Sequence, residues 1–89
     1  MKPFYVRNMG RDVDDAFRGA VRMDKLIHGE GNGSLADKTS FLLVEAPKNL
    51  EVQHAQTLIE TRDYRFDHPS KPAGAIALAK PEWLFFGWA

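Results

Sequence analysis

The sequence predicts a small α+β fold with the element order β-α-β-β-α-β-β, and three observations carry that prediction. Aromatic and β-branched residues concentrate in short runs at both ends of the chain, as extended strands require. Two longer stretches, residues 12–28 and 49–62, repeat their apolar residues at helical spacing. Gly10, Gly29, Pro47 and Pro81 punctuate the boundaries between these runs. The first six elements match the split βαβ, ferredoxin-like arrangement, an antiparallel sheet with both helices on one face. The final strand is an addition to it. At 89 residues the chain, residues 1–89, has room for one domain.

Residues 3–9 read as the first strand, with Phe4 and Val6 alternating against Tyr5 and Arg7. Asp12 is placed to cap a helix whose first turn carries Asp14 and Asp15, where the helix dipole favours negative charge. Val13, Phe17, Ala20, Val21 and Ile27 fall on its inward side, with Ala16 and Met23 on the flanks. Gly29 is a natural helix stop, and the glycine-rich loop to Gly33 follows it. A hairpin of strands is expected at residues 34–38 and 41–46, the second apolar on both faces and therefore central. Asn49 then caps a second helix running to about Arg62, with Val52, Ala55, Leu58 and Ile59 inward. Residues 62–74 form the longest irregular piece, and few apolar side chains hold it. A strand at 75–79, a turn at Lys80-Pro81-Glu82 and a terminal strand at 83–89 complete the order.

The terminal run Trp83-Leu84-Phe85-Phe86-Gly87-Trp88-Ala89 is apolar on both faces of a strand, so both faces need cover. It is too short to span a bilayer, which takes roughly 20 apolar residues as a helix. With two helices assigned to one face, the other face calls for a second subunit. The expectation is a homodimer with Phe86 and Trp88 at its interface. The core is expected to include Phe17, Val21, Leu43, Val44, Ile59 and Phe85.

Hydrophobic content of 44% and charged content of 27% are those of an ordinary globular domain. There is no cysteine, which removes disulfides and thiolate metal sites from consideration. Without a secretory pattern at the N-terminus the chain reads as cytoplasmic, with no membrane partner. Twelve basic side chains balance twelve acidic ones. That weighs against nucleic acid as the principal partner, where a basic field supplies much of the affinity. The charge is unevenly spread: six basic and four acidic residues lie in 1–25, against two and five in 26–60.

No assembled catalytic set is visible, and the chain reads as non-enzymatic. Glycines 29, 31 and 33 leave a helix C-terminus instead of entering an N-terminus, the wrong order for a phosphate loop. Asp24 and His28 are neighbours on the first helix, a spacing that can hold an imidazole in one tautomer. Arg62, Asp67 and His68 lie in the long irregular segment. Together with His28 they are the candidate ligand-binding set if the loops meet in space. Asp63, Asp67 and His68 have no recognised metal-binding spacing, and neither a metal nor a cofactor is expected. Tyr64 and Phe66 between Arg62 and Arg65 suggest a stacking platform for bases, or aromatic pins for the loop. Arg11, Arg18, Arg22 and Lys25 make a basic stripe on the outer side of the first helix, read as a solvated face.

The run from Ala16 through Lys38, with His28-Gly29 and Leu35-Ala36-Asp37-Lys38, and the ending at 83–89 resemble a family of small uncharacterised proteins found in phage and prophage. The resemblance implies a setting in which short proteins act by binding host or viral proteins. The expectation is thus a self-associating protein–protein interaction module. The alternatives are a small-ligand or nucleotide binder, or a minor enzyme, using loop residues around His28 and Asp67-His68, and a nucleic-acid-binding domain.

Overall fold

A computed structural model describes residues 1–29 and 34–89. Their elements run β1 (Pro3–Met9), α1 (Val13–His28), a single 3-10 turn (Leu35–Asp37), β2 (Phe41–Leu43), α2 (Glu51–Glu60), β3 (Ala73–Ala77) and β4 (Glu82–Trp88). The fold is α+β, with four strands where five were expected. They form one mixed sheet in the order β1-β4-β3-β2, antiparallel except for the β2–β3 pair. This is not a ferredoxin-like sheet.

The helix that the sequence marks most clearly is α1, and its limits follow local chemistry. Asp12 caps it, its carboxylate accepting from the Asp15 N–H at 2.9 Å, and Gly29 ends it by donating to the Lys25 carbonyl. Gly19 sits where Asn8 crosses the helix, donating to the Ala16 carbonyl at 3.0 Å. A side chain at Gly19 would meet that amide. The loop predicted through Gly31 and Gly33 lies outside the described residues.

The two helices cover opposite faces of the sheet, and β4 shows why. Phe85 packs with Ala16, Phe17, Ala20, Leu35, Ala73 and Ala75 beneath α1, joined by Trp83 and by Phe4 and Val6 of β1. Leu84 and Phe86, one residue out of step, pack with Val44, Ala55, Ile59, Phe66 and Ile76 beneath α2. The pleat thus sends successive side chains of one central strand into two cores. The expected placement of both helices on one face is corrected. So is the premise of an uncovered face, because the chain covers both with its own residues.

Three further expectations change. Residues 34–38 form no strand: the Ser34 N–H bonds the Asp37 carboxylate at 3.4 Å, and the Asp37 N–H bonds the Ser34 carbonyl at 3.1 Å. That closed turn sends Leu35 and Ala36 into the core under α1. Residues 41–46 hold an edge strand, not a central one. Consequently Leu43 is 63% exposed and does not belong to the core, whereas Phe17, Val44, Ile59 and Phe85 are buried and Val21 packs against them. Finally, the 62–74 segment is pinned: Phe66 is fully buried, its ring edge-on to Phe86 at 5.1 Å. Gly74 of β3 lies directly against the Phe86 ring, so near that a methyl group there would overlap it.

Candidate interaction surface

The sheet places β1 at one edge, and the hydrogen-bond pattern determines what that edge offers. Lys2 and Ala89 exchange both backbone bonds at 2.9 Å, and the Gly10 N–H reaches the Pro81 carbonyl. In an antiparallel ladder such pairs alternate. Phe4, Val6 and Asn8 are therefore the residues bonded to Gly87, Phe85 and Trp83 of β4. Pro3, Tyr5, Arg7 and Met9 turn their backbone groups outward. Among the described residues no backbone group beyond the β1–β4 ladder takes the N–H of Tyr5, Arg7 or Met9. The strand is seven residues long, and no described strand pairs with this edge.

Beside this edge stands the last half of α1. Met23 and Ile27 are 57% and 65% exposed, and with Val6, Arg7, Asn8 and Ala20 they line a groove of about 220 Å³. A second groove of about 440 Å³ continues toward Phe4, Tyr5 and Leu35. Sequence periodicity put Ile27 inward, yet α1 is wider in its apolar stripe than the sheet beneath it. Ala16, Phe17 and Ala20 fill the core, and the later turns hang past β1. The signal was an apolar stripe broader than one small sheet can cover.

On the other face of β1, burial and then the Glu60 carboxylate push the Tyr5 phenol up. Arg7 lies 3.9 Å from Glu82, the arginine side chain exposed and the glutamate half-buried.

The ligand set expected from sequence does not assemble. His28 stands at the end of α1, its Nδ1 2.9 Å from the Asp24 carboxylate, and lines the grooves beside β1. Arg62 lies over the Trp88 ring at 4.6 Å on the α2 face, with its backbone in the left-handed region. His68 Nδ1 accepts from the Ser70 N–H at 3.1 Å, an arrangement internal to its own turn, and Asp67 beside it is half-buried. The grooves that His28 lines contain none of Arg62, Asp67 or His68. Of the expected interface pair, burial excludes Phe86 alone. Phe86 has no exposed surface to offer, and Trp88 is half-buried beneath Arg62.

Asp24 is a structural bracket. It is buried, and accepts from Ser34 Oγ, from the Ala36 N–H at 2.8 Å and from His28. Burial opposes its charge, but these donors outweigh burial and hold the carboxyl below the usual range. Ser34 and His28 are both bonded to Asp24 and not to each other, so the three residues are not wired as a nucleophile and its base. The stacking platform fails as well, because Phe66 is core and only Tyr64 is exposed. Asp63 turns both oxygens to the Arg65 fork at 2.9 and 3.1 Å, which holds it below the usual carboxylate range. Among the described residues no three His, Asp or Glu side chains gather to hold a metal ion, and no helix is long and apolar enough to cross a membrane.

Comparison of the chain with protein-family models, with curated protein sequences and with solved structures finds no match.

Proposed function

We propose that this chain is a non-enzymatic interaction module that associates with a second copy of itself through the open edge of β1. The observation that carries this reading is the row of outward N–H and C=O groups at Tyr5, Arg7 and Met9, with exposed Met23 and Ile27 beside it. An antiparallel pair formed about a two-fold axis at Val6 uses all of Pro3–Met9. In that register Tyr5 stands opposite the partner's Arg7 and Pro3 opposite the partner's Met9. Tyr5, Arg7 and Met9 of each copy then donate into the new ladder.

The alternatives are poorer. Centring on Arg7 sets like charges directly opposite, which is destabilising. Centring on Tyr5 leaves Met9 outside the pair. The chosen register also brings the partner's Arg7 toward Tyr5, whose neighbour is Glu60, so the charges on that face are complementary. On the opposite face the same axis sets the two α1 helices side by side, with Met23 and Ile27 meeting their copies.

Sedimentation equilibrium tests the proposal. The unmodified chain should be dimeric at micromolar concentration. Arg7→Pro removes an outward N–H without touching a bond to β4, and should yield a folded monomer whose melting temperature, unlike that of the dimer, does not depend on concentration. Ile27→Lys should weaken the dimer independently. A monodisperse monomer, or a dimer that survives Arg7→Pro, overturns self-association through this edge. The first of these results would point to a strand from a different protein.

A further inference from the structure

The basic stripe of α1 acquires a meaning that its sequence spacing does not convey. Arg18, Arg22 and Lys25 line one side of an open cleft whose other side is Lys38 and Thr39, with Phe17 and Val21 between them. Its volume is about 470 Å³, within the range of small-molecule sites, about 300–1,000 Å³. Four cationic residues thus line one concavity in a chain of zero net charge, and among the described residues no carboxylate lines it.

Of the described carboxylates nearest in sequence, Asp24 is engaged elsewhere, and Asp15 is shared between Arg11 and Arg18, whose charge also helps to hold its carboxyl below the usual range. Asp15 bonds the Arg11 N–H at 2.9 Å and lies 3.7 Å from its guanidinium. Asp24 is enclosed by Ser34, Ala36 and His28. Among the described residues Arg18 and Arg22 make no close ion pair.

Lys38 distinguishes this cleft from a solvated basic face. It is 5% exposed, and its Nζ donates to the carbonyls of Pro69 and Lys71, each at 2.7 Å. An ammonium has three protons, and these two bonds use two of them. Its charge is held in place by neutral carbonyls, and burial pulls its pKa down while nearby Asp37 opposes this. An anion in the adjacent cleft would add to the two carbonyls, the Phe4 ring 5.9 Å from Nζ and nearby Asp37 in compensating this buried positive charge.

We infer that the cleft between α1 and Lys38-Thr39 binds a small organic phosphate. The Arg18 and Arg22 guanidiniums present planar forks to the phosphate oxygens, Thr39 supplies a hydroxyl, and Phe17 and Val21 provide an apolar surface for the body of the ligand. The site lies away from the outward edge of β1 and does not depend on self-association.

Adenosine 5′-monophosphate, inorganic phosphate and adenosine are the three probes, titrated by calorimetry into the full chain at low salt. The nucleotide should bind saturably, phosphate more weakly, and adenosine not measurably. Affinity for the nucleotide should fall about tenfold or more in Arg22→Glu, and should drop as salt is raised. Thermal melting of the variant beside the unmodified chain guards against unfolding, and Arg18→Glu gives a second, independent substitution. No saturable binding at millimolar nucleotide overturns the inference. So does equal binding of adenosine, or retention of affinity in both variants.

Discussion

Phe66→Ala separates this fold from one in which the 62–74 segment is a loose loop. The Phe66 side chain is 1% exposed, sits edge-on to Phe86 at 5.1 Å, and has the Arg65 guanidinium 5.1 Å from its ring. Truncating a buried phenylalanine to alanine costs about 3–5 kcal/mol through lost transfer energy and the cavity left behind. Domains of this length have a total stability of about 4–13 kcal/mol at 0.05–0.15 kcal/mol per residue. The variant should therefore lose a large share of its stability, and near the lower bound would be mostly unfolded in water. Urea titration followed by tryptophan fluorescence measures this, because Trp88 packs in the same cluster. Leu43→Ala provides the contrast. That side chain is 63% exposed on the edge strand β2, so its truncation should cost about 0.5 kcal/mol or less. A loss below about 1 kcal/mol for Phe66→Ala, or above about 2 kcal/mol for Leu43→Ala, would refute the assignment of the second core.

Two further outcomes probe other parts of the structure. Asp24 has a folded-state pKa held below its unfolded value, so its contribution is complete above the ordinary carboxylate value of about 3.9 and is lost as pH falls through the lower folded value. Asp24→Asn should therefore lower stability at neutral pH and flatten its decline in acid. Equal pH slopes for the two proteins in denaturant titrations would deny Asp24 that role. Gly74→Ala places a methyl against the Phe86 ring in the centre of the sheet, and overpacking of this kind costs about 1–3 kcal/mol. Unchanged thermal unfolding of that variant would mean that Phe86 is not seated over β3.

Local chemistry made much of the chain legible from sequence. The limits of α1 depend on Asp12, Asp15, Lys25 and Gly29, residues within one turn of each helix end. The alternation in β1 and the two apolar faces of β4 are period-two patterns that no distant residue can alter. The pairing of Asp24 with His28 was visible because a helix always brings residues four apart together.

What the tertiary structure decided was which strands are central and which face each helix covers. Both questions concern residues far apart in the chain, such as Phe85 against Ala16 or Phe86 against Phe66. The apolar run at 41–46 reads as central from composition alone, yet among the described residues β2 pairs with β3 alone and leaves Leu43 in water. The open β1 edge and the cleft around Lys38 were invisible for the same reason. An edge is defined by the neighbour a strand lacks, and the cleft by a lysine whose partners lie more than thirty residues away. Periodicity and capping reach about four residues along a chain. Strand order is set by the summed burial of many such distant pairs, and becomes readable only when the chain has folded.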